Sequence, residues 1–222
     1  MIKNFLVDFK AVVFDMDGVI TNTMPYHFDA WAKVFNSIGI KVDCYDVYKR
    51  EGQRGLTTLK EIFSQRSRPF HLKQAKQLLR EKEELFKRSV KIKFIKGARP
   101  FLRKLKKYKF KLGLVTGTSR HEMEKILPES LRGLFDVTIT GCEVKRGKPH
   151  PEPFERAVNM LGMPKQQVIV IENAPFGIAS AKAAGLRCIA LETSLPRKYL
   201  KQADIVFGSF KELEKQAGVY GR

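Results

Sequence analysis

The chain has no apolar run near the length of a bilayer span, and Asp8 and Lys10 interrupt its N-terminal segment before it could serve as a signal peptide. The expectation is a soluble, cytoplasmic protein with no membrane partner. Cysteine is scarce: Cys44, Cys142 and Cys188 are odd in number, far apart and in no Cys-x-x-Cys pair. That excludes a disulfide framework and a zinc site, and leaves buried thiols as the expectation. Also missing are a Gly-x-Gly-x-x-Gly dinucleotide loop, an internal repeat, a low-complexity tract and any nucleic-acid-binding signature. Acidic residues are few, 23 Asp and Glu against 42 Lys and Arg, for a net charge of +19. This charge permits attraction to anionic small molecules, nucleic acid or membrane surfaces without choosing among them. In the most basic stretch, Arg99 to Lys111, the apolar Phe101, Leu102, Leu105 and Tyr108 recur at helical spacing. A solvated helix face is expected there, and a nucleic-acid-binding role stays a secondary alternative.

What is present is organised around AVVFDMDGVITNT, Ala11 to Thr23. Ala11, Val12, Val13 and Phe14 are continuously apolar, as in a strand buried on both faces of a parallel sheet. Asp15 stands at its carboxyl end, where open α/β sheets bind ligands. Residues two apart on an extended chain point the same way, so Asp15 and Asp17 can converge on one ligand while Gly18 turns the backbone away. Two carboxylates on one small site invite a cation. A calcium loop is excluded, because Gly18 follows Asp17 where a further oxygen ligand would be needed. An ordinary turn remains the alternative on this segment alone.

With 222 residues the chain can hold one large core, or a core with a smaller inserted unit. Beyond Pro25, helical patterns over Tyr26 to Ile38, Asp43 to Lys49, Leu56 to Phe63 and Leu72 to Phe86 follow without a comparable strand. Gly39 closes the first of them. From Gly97 the pattern alternates: strands at Lys111 to Thr116, Phe135 to Thr140, Val168 to Ile171, Cys188 to Leu191 and Ile205 to Phe207, with helices at 119–127, 151–161 and 175–184. This predicts an α/β fold with a mostly parallel, Rossmann-like sheet flanked by helices and the Ala11 strand in its interior. The expected organisation is an α/β core domain of residues 1–21 and 92–222 with an all-helical cap domain, 22–91, inserted between them. Asn22 to Thr23 and Lys91 to Gly97 would be hinges, and closure of the cap could exclude water from the site.

Three more strand ends are polar. Thr116 and Gly117 offer a hydroxyl and free backbone N–H groups before a helix that Thr118 or Ser119 can cap, an arrangement suited to phosphate. Lys148, between Gly147 and Pro149, lies on a stiff loop before a helix whose entry Pro151 and Pro153 set, and its ammonium can neutralise a phosphoryl oxygen. Glu172 and Asn173 offer oxygen ligands for a hard cation after the strand VIVI. Each has a plain structural alternative, a capped helix or a surface lysine; the conjunction of four is what points to a site.

The combination of Asp15-x-Asp17-Gly18 with Val19, Thr116-Gly117, Lys148-Pro149 with the following Pro-Glu-Pro-Phe, and Glu172-Asn173 running into Gly177 and Ala183-Ala184-Gly185 resembles the haloacid dehalogenase superfamily. The resemblance covers nearly the whole chain and falls in the phosphatase and phosphomutase branch with a helical cap. It implies Asp15 as nucleophile, Asp17 as acid and base, Thr116, Gly117 and Lys148 as phosphate-binding residues, and Mg²⁺ on Asp15, the Asp17 carbonyl, Glu172 and Asn173. Asn173 departs from the pattern, since most relatives carry Asp there, so Glu172 is expected to be the stronger ligand. DGVITNTMPYHFDAW is also similar to β-phosphoglucomutases at His27 and Trp31. Gly52-Gln53-Arg54-Gly55 resembles the family's specificity loop, with Arg54 placed to grip a distal phosphate, though one position early for a mutase. The resemblance thus implies a Mg²⁺-dependent monoester phosphatase working through a phosphoaspartate on a small phosphorylated metabolite. A β-phosphoglucomutase-type mutase is the alternative, and a monomer without specific nucleic-acid partners is expected.

Overall fold

The structure is a computed structural model that describes residues 5–218. Strand β1, Ala11–Phe14, is followed by four helices: α1 Met24–Ser37, α2 Cys44–Tyr48, α3 Gly55–Gln65 and α4 Leu72–Ser89. Strands and helices then alternate through α5 Ala98–Lys107, β2 Lys111–Val115, α6 Arg120–Ile126, α7 Glu129–Arg132, β3 Val137–Ile139 and α8 Glu152–Leu161. The chain ends on β4 Val168–Glu172, α9 Pro175–Ala183, β5 Arg187–Leu191, β6 Ile205–Phe207 and α10 Phe210–Ala217. Among the described residues, six strands form one sheet in the order β3-β2-β1-β4-β5-β6, and every neighbouring pair is parallel. β1 is central, as its unbroken apolar run predicts. No described helix is long and apolar enough to cross a membrane.

Alternation on these buried strands divides the side chains between two cores. Val12, Phe14, Leu112, Leu114, Ile169 and Ile171 face Phe101, Leu102 and Leu105 of α5 and Phe210 and Leu213 of α10. Ala11, Val13, Val168 and Val170 face Phe154, Val158 and Leu161 of α8 and Ile178 of α9. Phe101 and Phe154 are fully buried, so truncating either to alanine would cost about 3–5 kcal/mol. The inserted helices carry a third cluster of their own, built on Trp31, Val34, Phe35, Leu59, Ile62, Phe63 and Leu78.

In-register pairing of Phe14 with both Leu114 and Ile171 brings the carboxyl ends of the three central strands level. The residues that follow them therefore meet at one place. The opposite end is tied by a repeated device. Asp136, just before edge strand β3, accepts from the Leu112 N–H at 2.7 Å and from Lys106 at 2.8 Å; Asp204, before edge strand β6, accepts from the Cys188 N–H at 2.7 Å and from Lys182 at 2.8 Å.

Element boundaries differ from the sequence expectation where side chains intervene. The expected strand from Phe135 shrinks to Val137–Ile139, because Asp136 is spent on Leu112 and the Thr140 N–H is taken by Glu143. The basic helix ends at Lys107, since Lys109 takes φ +62° to return the chain to β2, and Tyr108 is only partly buried. Of the three thiols only Cys188, inside β5, is buried; Cys44 in the first turn of α2 and Cys142 in a loop are exposed, which corrects the expectation of buried cysteines. Helices α7 and α10 were not expected.

Candidate active site

Asp15 continues β1, Glu172 is the last residue of β4, and Lys148 reaches them from the loop before α8. The Lys148 Nζ donates to Asp15 Oδ1 and to Glu172 Oε1, each at 2.6 Å, and to the Val115 carbonyl at 3.3 Å. All three side chains are 1 % exposed. Burial opposes a charged lysine, but the two carboxylates more than offset it and hold Lys148 above its ordinary value. Burial also pushes Asp15 well up, relieved by Lys148 and reinforced by Glu172, Glu51 and Asp17. One cation between two anions leaves this buried group one negative charge in excess.

Asp17 has the contrary surroundings. Its Oδ1 accepts from Thr23, with Thr21 at 3.5 Å and the His27 Nε2 at 3.4 Å, and its Oδ2 accepts from Thr118 at 3.1 Å with Thr116 at 3.5 Å. Burial alone would raise its pKa; His27, Thr23 and Thr118 outweigh burial and hold the carboxyl below its usual range. The Lys82 ammonium lies 3.0 Å from the His27 Nδ1, and an ammonium can only donate, so Nε2 carries the proton that points to Asp17. Phe86 stacks on the imidazole at 4.1 Å and fixes its plane.

Two buried oxygens in this region have no hydrogen-bond partner among the described residues, Asp15 Oδ2 and Asn173 Oδ1. The Asn173 amide is oriented by its Nδ2 donating to Ser194 at 2.8 Å, which leaves the carbonyl oxygen free. Gly18, at φ +87°, permits this approach, since a Cβ there would stand 2.1 Å from the Asn173 Nδ2. The bare Asn173 oxygen, beside the carboxylates of Asp15 and Glu172, fits a hard cation such as Mg²⁺, and leaves Asp15 Oδ2 open. Glu172 differs from the sequence expectation: its Oε2 is already taken by the N–H groups of Asn173 and Ala174. Of the pair, Asn173 is the one that presents an unpartnered oxygen here. One oxygen each of Asp17 and Glu51 and a nitrogen of His27 also lie within 4.8 Å of one another, but the adjacent Lys82 makes that group a poor seat for a cation.

The inserted helices close over these strand ends. A cavity of about 280 Å³ is lined from the insertion by His27, Glu51, Gly52 and Lys82 and from the sheet side by Gly117 and Thr118. Gly52, at φ +75°, rests on the Lys148 side chain, where a Cβ would come within 2.4 Å of Cδ. The insertion is fastened by the Phe176 N–H donating to the Lys49 carbonyl at 3.0 Å and by Tyr45 stacked on Tyr199 at 4.3 Å. Arg54 lines the cavity wall but is exposed, and its Nη1 donates to the Lys145 carbonyl at 2.8 Å. The expected residues Asp15, Asp17, Thr116, Lys148, Glu172 and Asn173 are therefore brought together, with Gly117, His27, Gly52 and Arg54 at the cavity. The Thr116 hydroxyl, expected to face phosphate, accepts the Thr118 N–H at 3.1 Å and lies by Asp17. Sequence reasoning missed Lys82, Glu51, Thr118 as a partner of Asp17, and Ser194.

A parallel sheet with acids and a lysine gathered at the carboxyl ends of its central strands defines an α/β enzyme. The family model described as haloacid dehalogenase-like hydrolase matches residues 9–185. The chain belongs to that family. It is 34% identical over 185 residues to the phosphorylated carbohydrates phosphatase of Thermotoga maritima, covering 81% of this chain and 83% of that one. It is 30% identical to the validoxylamine A 7'-phosphate phosphatase of Streptomyces hygroscopicus subsp. limoneus, covering 92% and 96%. Among solved structures, a candidate beta-phosphoglucomutase from Bacteroides vulgatus superposes with a TM-score of 0.86 at 30% identity, over 96% of this chain and 89% of that one.

Proposed function

We propose that this chain is a Mg²⁺-dependent phosphatase of small phosphorylated carbohydrates and related polyols, working through a phosphoaspartate on Asp15. The observation that carries the proposal is the opposed environments of the two aspartates. Asp15 keeps Oδ2 bare beside a buried lysine, as a nucleophile requires, while Asp17 is held by hydroxyls and an imidazole, as a proton carrier requires. The phosphatases of Thermotoga maritima and Streptomyces hygroscopicus point the same way.

In this mechanism Asp15 Oδ2 bonds to phosphorus as the ester oxygen departs with a proton from Asp17. An incoming phosphate dianion raises the proton affinity of Asp17 and so prepares it as an acid. Asp17 then takes a proton from water, whose oxygen attacks phosphorus; the phosphorus–Asp15 bond breaks and both carboxyl groups are restored. Lys148 and the Gly117 backbone offset negative charge on the phosphoryl oxygens. Mg²⁺ bound by Asp15, Asn173 and the Asp17 main-chain carbonyl would supply the positive charge that lets an anion meet a dianion. Residues 22–91 serve as the cap and 1–21 with 92–222 as the catalytic core, and the cap excludes bulk water.

A mutase using the same intermediate is the second reading, favoured by the Bacteroides vulgatus structure. It needs a cation for a second phosphate. Arg54, Arg50 and Lys82 all line the cavity: Arg54 donates through Nη1 to the Lys145 carbonyl, Arg50 is held by Glu61 and the Asp46 carbonyl with its Nη2 unpartnered, and Lys82 stands by His27. Phosphatase comes first on the strength of the two phosphatase relatives. Phosphate release from p-nitrophenyl phosphate and a panel of sugar phosphates, by wild type and Asp15→Asn, tests the proposal. Equal release by both contradicts it, and glucose 6-phosphate from β-glucose 1-phosphate without free phosphate would favour the mutase.

A further inference from the structure

One cavity-lining group close to the proton carrier is a carboxylate. Glu51 follows α2, and one of its oxygens lies within 4.8 Å of an Asp17 oxygen and of a His27 nitrogen. It lines the same cavity as Gly117 and Thr118, and Glu83 and Glu122 line that cavity too. Burial raises the pKa of Glu51, while His27 and Lys82 pull it back toward the ionised form.

We infer that Glu51 is a specificity-determining residue that accepts a hydrogen bond from a hydroxyl on the carbon next to the one bearing the phosphate ester. This rests on the phosphatase reading, because it takes the leaving oxygen to sit against Asp17. The geometry then acts as a ruler. With one hydrogen bond donated by Asp17 to the ester oxygen and one accepted by Glu51 from the neighbouring hydroxyl, each about 2.7 Å, two carboxylate oxygens 4.8 Å or less apart suit adjacent oxygens of a vicinal pair. A simple alkyl or aryl leaving group would press apolar carbon on this carboxylate and leave it without the donor it faces. The site thus selects 2-hydroxyalkyl monophosphates, the motif of polyol phosphates and of sugars phosphorylated beside a free hydroxyl.

Three substrates that differ in one group separate the possibilities: ethyl phosphate, 2-hydroxyethyl phosphate and 2-aminoethyl phosphate, assayed with wild type, Glu51→Gln and Glu51→Leu in the presence of Mg²⁺. Wild type should favour 2-hydroxyethyl over ethyl phosphate in kcat/KM by about tenfold or more, since a site built around a hydrogen bond rejects the analogue lacking it. The preference should shrink in Glu51→Gln, whose amide still accepts, and fall to about threefold or less in Glu51→Leu. A wild type indifferent to the hydroxyl, or a Glu51→Leu enzyme that keeps the preference, overturns the inference while leaving the phosphatase reading intact. A larger preference for 2-aminoethyl phosphate overturns the hydroxyl assignment in favour of an ammonium. Failure of wild type to release phosphate from these esters and from p-nitrophenyl phosphate overturns both. Should Glu51→Leu not fold, the wild-type ratios and the near-isosteric Glu51→Gln decide.

Discussion

At the amino end of the sheet Asp136 and Asp204 each accept a strand N–H and a lysine, and their pKa values fall because these donors outweigh a modest burial penalty. At the carboxyl end Asp15 is buried against a second carboxylate with one oxygen bare, and its pKa rises. The first pair makes the ionised form easy to hold and so ties edge strands to the sheet. The second makes the same group costly to fold and ready to bond. The difference teaches that one residue type is read by its surroundings: the two exposed, satisfied aspartates tie strands together, whereas the one with a bare buried oxygen is available for chemistry.

Substitutions should break this contrast in opposite directions. The largest effect is expected from Asp15→Asn, which should lower phosphate release by about a thousandfold or more. Its thermal midpoint should stay level or rise, because burial and the Glu172 charge both oppose an ionised Asp15 while asparagine keeps an acceptor for Lys148; a drop in Tm would sink the contrast. Lys148→Met should be the most destabilising change at the site, at about 3–5 kcal/mol in a urea titration, because two buried carboxylates lose their shared cation. Mg²⁺ at a hundredfold excess over its Kd should stabilise the wild type by about 2.7 kcal/mol, and Asp15→Asn or Asn173→Ala should weaken that gain. A gain untouched by either substitution would place the ion elsewhere.

Asp136→Ala and Asp204→Ala should each cost only about 1 kcal/mol, since both groups are largely solvent-screened, and should leave phosphatase kinetics unchanged. Their pH dependence has a definite sign. The folded pKa values lie below the ordinary 3.8, so the stabilisation is present above that value and is lost as pH falls through the lowered folded values. Wild type should therefore lose stability on acidification there, and each variant should lose less. The smallest effect is expected from Tyr199→Ala, which removes the stack on Tyr45. It should cost about 0.5–1.5 kcal/mol of closed insertion and raise KM a few fold with little change in kcat.

Much of the core was legible because its signals are local. Four apolar residues ending in Asp15 mark a central strand, and in-register parallel pairing carries Thr116, Glu172 and Asn173 to the same end. The inserted helices were legible for the same reason, since apolar residues at helical spacing build their own core around Trp31, Phe35 and Leu59. Helix α10 had a signal that went unread: Ser209 caps it by accepting the Glu212 N–H, with Glu212 three residues on. Lys82 gave none. It sits among charged residues of α4 and reaches His27 only because α1 and α4 pack side by side, 55 positions apart in the chain. Glu51 was equally silent, because a carboxylate facing a cavity differs from a solvated one only after the insertion closes. Arg54 was legible from its loop motif, and it does line the cavity, with its Nη1 on the Lys145 carbonyl.

The most direct test of the central claim is to acid-quench the enzyme during turnover with Mg²⁺ and a ³²P-labelled sugar phosphate, and to map the label by peptide mass spectrometry. An acid-stable acyl phosphate on the peptide containing Asp15, absent from Asp15→Asn, is the predicted result. Label on another residue, or turnover with no covalent phosphate under conditions that trap one, would contradict it.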